Sequence, residues 1–181
     1  MTALNFSYHV VTVPKKILAS ISNILAKAEL HPKATSFPES KLAEDMLPLS
    51  FQVWCVTDNI CKGLARAQGI EAPTLEKDLT TIAAMKESIK SASEFLEKAQ
   101  PDDINKRRDE VVTGVAILAL TIGLGPSMCG RMTVLNYING WSHPNIWFHL
   151  NMTYAILRKE GVDIGKQDYL TPFTEGVLTI L

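Results

Sequence analysis

Three polar residues recur at four-residue intervals within the otherwise apolar stretch 143–161: Asn145, His149 and Thr153. Side chains four residues apart stack on one face of a helix. A helix that is apolar on nearly every side is buried, so this row is either a satisfied hydrogen-bond network or a functional site. Because an imidazole titrates near neutral pH, His149 is the candidate proton acceptor or donor of such a site.

The same stretch carries helix signals at both ends. Pro144 suits a first helical turn, whereas Arg158, Lys159 and Gly161 are typical of a helix end, where cations face the negative pole of the dipole. The sequence therefore predicts a buried helix from His143 to Gly161.

Three further residues of this helix have a structural and a functional interpretation. Arg158 either stabilises the helix end or clamps a carboxylate. His143 is either exposed beside its proline or in contact with a ligand. Trp147 either belongs to the core or lines an apolar pocket. We treat all three as candidate substrate-binding residues.

An uninterrupted apolar stripe predicts a second long helix from Leu42 to Gln68, with Ser40 as its N-cap. Asp45, Gln52 and Asn59 lie seven residues apart and form a polar row at the edge of this stripe. Asp45 or Gln52 could bind the second nitrogen of His149, and a nearby Asp45 would favour the imidazolium. Alternatively, the row caps neighbouring backbone or stays partly hydrated.

The remaining chain predicts helices, a small hairpin and loops. We expect helices over Tyr8–Leu30 and Leu75–Ala99, a polar connector over Pro101–Asp109, a β-hairpin with a glycine–proline turn over Val111–Thr133, a short helix over Val134–Trp141 and a loop after Gly161. This pattern is typical of a mainly α protein, a four-helix bundle with a small β-hairpin before the last long helix. At 181 residues, one domain over 1–181 is expected.

Composition excludes several classes of function. A net charge of -1 and a pI near 6.4 provide no basic surface for nucleic acid. The longest apolar run, Val111–Leu124, is shorter than the ~20 residues of a membrane span. Three cysteines without metal or redox spacing are typical of a reducing compartment, and the N-terminus lacks a signal-peptide pattern. These observations predict a cytoplasmic protein.

Two long motifs resemble a known family. The segments LAEDMLPLSFQVWCVTDNICKGLARAQGIEAP and PNIWFHLNMTYAILRKEGVDIGKQDYL are similar to domain-of-unknown-function family 1993, whose length covers nearly the whole chain. The segment Val111–Thr133 departs from the family pattern because it is longer and more apolar. The resemblance implies the fold of the DinB-like superfamily of four-helix bundles and, since those proteins often pair through bundle faces, a homodimer.

The superfamily resemblance also implies a metal site, which this sequence does not match. Many members are metal-dependent, thiol-using enzymes with one histidine on the second helix and two, four residues apart, on the last. Here the last helix offers His149, flanked by Asn145 and Thr153, and the second helix has no histidine. Because a catalytic zinc needs three protein ligands, we expect no metal and no cofactor.

Two hypotheses follow for the function. The first is a metal-independent isomerase, cyclase or lyase acting on a small, largely apolar molecule in a cleft within the bundle. Its catalytic residues would be His149 and Asp45, and its substrate-binding residues Gln52, Asn59, Asn145, Thr153, Trp147, His143 and Arg158. The alternative is a dimeric ligand-binding or structural module without chemistry, in which the apolar run Val111–Leu124 packs on a partner subunit.

Overall fold

The computed structural model describes residues 5–117 and 128–177, and these are mainly α-helical. Seven α-helices and two strands follow one another: α1 (Val13–Glu29), α2 (Leu49–Gln68), α3 (Ile82–Leu96), α4 (Pro101–Lys106), β1 (Val111–Ile117), β2 (Met128–Thr133), α5 (Val134–Tyr137), α6 (His143–Lys159) and α7 (Lys166–Thr174). The predicted mainly α fold class is confirmed. Within the described ranges, no helix combines the length and apolar content needed to cross a bilayer.

The four longest of these helices form a bundle. Helix α2 packs against α3 on one side and α6 on the other, and α1 packs against the opposite sides of α3 and α6. The apolar stripes predicted from the sequence meet in the interior, where fully buried residues include Ile17, Ile21, Ile24, Val53, Val56, Leu64, Ala92, Leu150, Ile156 and Leu157. A groove lies between α1 and α3, whereas α2 and α6 pack directly against each other.

Helix α2 begins seven residues later than predicted. Its N-cap is Pro48, with extended backbone at φ −72° and ψ 172°, and not Ser40. A residue before proline disfavours the helical region, so Leu47 cannot continue a helix into Pro48. Ser40 has a different role, since its carbonyl oxygen accepts a hydrogen bond of 2.9 Å from Leu49 N. The predicted second-helix position of Asp45 is therefore wrong.

Helix α3 also begins late. The predicted start at Leu75 is wrong because residues 70–80 have no regular secondary structure, and the N-cap is Thr81. The Thr81 hydroxyl accepts a hydrogen bond of 3.0 Å from Ala84 N, as expected for a threonine cap. Leu79 is 2% exposed, so the irregular segment is anchored to the core just before the helix.

The hairpin is confirmed, and the connector before it is shorter than expected. Strands β1 and β2 are antiparallel, with Val111 opposite Thr133 and Ile117 opposite Met128. The predicted glycine–proline turn lies outside the described residues. The predicted polar connector contains α4, which starts with Pro101, carries acidic residues in its first turn and buries Ile104.

Two π-helical turns accommodate prolines within long helices. Helix α6 begins at His143 with Pro144 in its first turn, as predicted, but the turn Ile138–Ser142 joins it to α5, so the chain is helical from Val134 to Lys159. Proline lacks an N–H and clashes with the carbonyl four residues earlier, and the wider π turn relieves this clash. The turn Tyr8–Thr12 precedes Pro14 at the start of α1 in the same way.

A helix over Lys166–Thr174 follows Gly161, where the sequence predicted a loop. Asp168 Oδ2 accepts a hydrogen bond of 2.7 Å from Gly165 N, which stabilises the start of α7. The helix packs along α1, where the Ser20 hydroxyl donates to the Tyr169 carbonyl at 2.9 Å and Lys27 pairs with Asp168 at 2.7 Å. The sequence signal for this helix is weak because the helix is short and lies close to glycine and polar residues.

Candidate functional site

The polar rows of α2 and α6 meet at one pair of side chains. His149 Nδ1 lies 2.7 Å from Gln52 Oε1, and the two residues are 7% and 3% exposed. Gln52 sits in the first turn of α2, where the start of the helix at Leu49 orients it towards α6. The imidazole therefore lies in the interior, and its hydrogen-bond partner on α2 is Gln52.

A third group fixes the orientation of this pair. Gln52 Nε2 donates a hydrogen bond of 2.9 Å to the Leu47 carbonyl, which can only accept. The other end of the amide, Oε1, therefore faces His149 and accepts from it, so Nδ1 carries the proton. The neutral imidazole then has its lone pair on Nε2, which receives no hydrogen bond from a described residue. Leu47, Gln52 and His149 form a relay that sets the tautomer.

Burial controls the charge of His149. Removal of the ring from water lowers its pKa from 6.5 to about 4, so the imidazole is neutral at physiological pH. The effect expected of a nearby Asp45 does not arise, because Asp45 does not lie beside the ring. Asp45 is exposed in the segment before α2, and the pKa of His149 moves in the opposite direction.

The other members of the predicted polar rows bond within their own helices. Asn145 Nδ2 donates to the Trp141 carbonyl at 2.7 Å, the Thr153 hydroxyl donates to the His149 carbonyl at 2.9 Å, and Asn59 Nδ2 donates to the Cys55 carbonyl at 2.8 Å. None of these bonds reaches the imidazole ring. Only Gln52 and His149 are therefore brought together from the two rows.

The structure places Trp147 and Arg158 away from this pair. The Trp147 ring packs on Phe173 of α7, with 5.6 Å between ring centroids. Arg158 is exposed, and its Nη1 donates to the Val162 carbonyl at 3.4 Å, which fits the structural interpretation of a helix-end cation.

His143 has a structural partner that explains its burial. In the π turn, Val13 N bonds to the Tyr8 carbonyl, and the next position along the helix is Pro14, which has no N–H to offer the His9 carbonyl. His143 Nε2 lies 3.0 Å from that carbonyl oxygen and donates to it. The imidazole thus replaces a backbone donor that the proline removed, and desolvation lowers its pKa.

An aromatic wall surrounds His149. Phe51 and Phe148 both meet the imidazole edge to face, with ring centroids 6.1 and 5.2 Å away, and Trp54 follows Phe51 at 5.6 Å. Phe148 is 52% exposed, so the wall reaches the protein surface. The ammonium of Lys77 lies 5.0 Å from the centroid of the Trp54 ring.

Sequence reasoning missed Phe51 and Lys77. Phe51 lies beside Gln52 in the chain, outside the apolar stripe, which is a usable signal for a residue at the edge of a groove. Lys77 gave no such signal because the sequence placed it on the solvated face of a predicted helix. In the structure it lies in the irregular segment 70–80 and folds over α2.

The described residues do not offer the ligands of a DinB-type metal site. Within 5–117 and 128–177, no three His, Cys, Asp or Glu side chains are placed to hold one ion. The amide of Gln52 binds His149 Nδ1. The neighbouring amide and hydroxyl groups on α6 are poor ligands for transition metals. The donor set therefore does not fit a three-ligand metal centre.

Burial disfavours thiolate formation at two cysteines of α2. Cys55 and Cys61 are both buried, which raises the pKa of each thiol to about 12. A nucleophilic cysteine needs a depressed pKa. Cys55 lies on the buried side of α2.

A cavity of about 610 Å³ lies between α1 and α3 and includes Lys15, Ser22 and Lys90. His149 and Gln52 are not part of its lining. The cleft predicted at His149 is therefore not this one, and the candidate site is the contact between α2 and α6 at Gln52 and His149.

The fold defines a DinB-like four-helix bundle. The chain is similar to the crystal structure of a DinB family member from Shewanella denitrificans, with a TM-score of 0.79 and 26% identity over 96% of this chain and 94% of that one. Residues 6–170 match the family described as Domain of unknown function, DUF1993, and the chain belongs to this family. No curated protein matches it.

Proposed function

We propose that this protein is a metal-independent enzyme that transfers a proton on a small, largely apolar molecule in an isomerisation, cyclisation or elimination. His149 is the catalytic residue, and Gln52 is the positioning residue that holds it. The observation that carries the proposal is the relay from the Leu47 carbonyl through Gln52 to His149 Nδ1. Both ends of the Gln52 side-chain amide are hydrogen-bonded, so His149 Nδ1 holds the proton. His149 Nε2 is then the single proton acceptor of the ring.

The surroundings of His149 support an apolar substrate. The ring is neutral because its pKa is about 4, so it accepts a proton and does not donate one in the resting protein. Phe51 and Phe148 supply apolar contact area on either side of it. Proton transfer produces a buried imidazolium, which the anion formed on the substrate would stabilise.

The neutral compound 5-nitrobenzisoxazole tests proton abstraction without knowledge of the natural substrate. A base removes the proton at C3, the N–O bond breaks, and a coloured nitrophenolate forms. We expect the protein to accelerate this ring opening over buffer, with a rate that falls at low pH through an apparent pKa of about 4. His149→Gln should abolish the acceleration, and Gln52→Leu should reduce it.

His31→Gln is the matched control. The His31 ring packs on Phe37 just after the end of α1, and it forms no hydrogen bond with Gln52 or His149. This variant should retain the wild-type rate. Equal rates for the wild type and His149→Gln would refute the proposed chemistry.

A specific observation favours the alternative, a dimeric ligand-binding module without chemistry. Large apolar residues are exposed beside the site, with Leu47 at 44% and Phe148 at 52%, and Val111 of the hairpin is 59% exposed. A second copy of the chain would cover such residues. A solution mass equal to one chain at micromolar concentration rejects this dimer, whereas a dimer that binds the probe without opening it favours the module.

A further inference from the structure

The indole of Trp54, next to the aromatic wall, has an unpaired N–H and the ammonium of Lys77 over its ring. Trp54 Nε1 is a buried side-chain nitrogen that has no hydrogen-bond partner among the described residues. The ammonium of Lys77 lies 5.0 Å from the centroid of the same indole ring and 5.9 Å from that of Phe51. A buried donor without an acceptor is costly and usually indicates a missing partner.

Lys77 differs from the neighbouring lysine in its lack of a counterion. Lys62 also approaches the Trp54 ring, at 6.0 Å, but its ammonium pairs with Asp58 at 2.6 Å. Lys77 forms no ion pair with any carboxylate in the described part of the chain. Its charge therefore remains available to a ligand.

The backbone around Lys77 is held in place. Glu76 Oε1 accepts hydrogen bonds from Lys77 N at 2.8 Å and from Asp78 N at 2.9 Å, so this carboxylate is committed to the local turn. Leu79, two residues beyond Lys77, is buried in the core. The turn thus fixes the base of the Lys77 side chain, which lies across the outer side of α2.

The two donors are connected to the proposed catalytic residue by aromatic rings. Phe51 lies between His149 and Trp54, with ring-centroid distances of 6.1 Å to the first and 5.6 Å to the second. A ligand that lies along Phe51 can reach His149 with one end and the Trp54–Lys77 pair with the other.

We infer that the substrate is a small apolar molecule that carries a carboxylate, bound by the Lys77 ammonium and the Trp54 N–H. A carboxylate accepts from both donors at once and is attracted by the lysine charge. Its apolar part lies along Phe51 and presents an acidic C–H to His149 Nε2. This inference rests on the proposed function and adds the chemical class of the substrate.

The test compares 4-phenylbutyrate with its neutral analogue 4-phenylbutyramide by isothermal titration calorimetry. Hydrogen bonds to a charged group are worth enough to give the acid a roughly tenfold tighter Kd with the wild-type protein. Lys77→Met keeps the length and apolar character of the side chain and should bring the ratio of the two Kd values close to one. Trp54→Phe, which lacks the N–H, should also lower it.

Lys98→Met is the matched control, because Lys98 is exposed at the end of α3 and its loss changes the net charge equally. This variant should keep the wild-type preference. The inference is overturned if the wild type does not prefer the acid, if neither compound binds at millimolar concentration, or if Lys77→Met preserves the preference. Ring opening of 5-nitrobenzisoxazole uses a neutral probe. If the protein turns this probe over through His149 but does not prefer the acid, the inference of a carboxylate substrate is refuted and the proposed function is not.

Discussion

Acidification should destabilise the protein through His149. The ring has a pKa of about 4 in the folded protein and 6.5 as its ordinary value, so the unfolded chain binds the proton more readily. The free energy of unfolding therefore rises with pH from about 4 to 6.5. Above this window, His149 adds no further pH dependence. At pH 5 the two pKa values correspond to a loss of about 2 kcal/mol in the free energy of unfolding.

Urea unfolding of the wild type and of His149→Gln at pH 7.5 and pH 5 isolates this contribution. The change between the two pH values should be larger for the wild type by about 2 kcal/mol, since glutamine does not titrate. His143 also has a pKa lowered by burial and acts in the same direction. It is present in both proteins, so its effect cancels in the difference.

Two results would refute the reasoning. One is an equal pH dependence of unfolding for the two proteins. The other is a midpoint at or above pH 6.5 when the imidazole C–H resonance of His149 is titrated by NMR. Either would mean that the ring is hydrated and that Gln52 does not hold it in the interior.

Three other experiments test the local geometry. Gln52→Leu leaves a buried imidazole N–H and a backbone carbonyl unpaired, and it should reduce the free energy of unfolding by about 1–3 kcal/mol in urea titrations; no loss would contradict the relay. Cys55 and Cys61, in a Cys129→Ser background, should resist iodoacetamide at pH 7.5 until the protein unfolds, because burial raises their pKa to about 12; modification of the folded protein would show that they are accessible. Gly69 has φ 70° at the end of α2, so Gly69→Ala should cost about 1–2 kcal/mol in thermal unfolding, and an unchanged Tm would contradict the left-handed cap.

The apolar periodicity predicted the interior of the bundle because burial and helical spacing are directly related. Val53, Val56, Ile60 and Leu64 form the predicted stripe of α2 and are buried in the structure. Periodicity says little about where a helix begins, since polar and apolar residues before the first turn can continue the pattern by chance. The Leu47–Pro48 step, which excludes a helical Leu47, was the signal that decided the start of α2.

The partner of His149 depended on that same boundary. Asp45 and Gln52 are equivalent candidates if the helix runs from Leu42, because both lie on one face. When the helix begins at Leu49, Asp45 leaves the face and Gln52 moves to the first turn, where Leu47 can bind its amide. The π turns could not be predicted from the sequence for a related reason. A proline in an apolar run fits a helix start and a wider helical turn equally well.

The low pKa of His149 also defines what a substrate must supply. A shift from 6.5 to about 4 means that a charged ring in the folded protein is disfavoured by about 3 kcal/mol relative to water. The same cost opposes any proton transfer to Nε2. An anion forming about 4 Å from the ring contributes about 4 kcal/mol of attraction at an effective dielectric constant of 20. The two quantities are similar, so His149 can act as a base only while the negative charge left on the substrate stays beside it. A substrate whose anion remains beside the ring after proton transfer meets that condition.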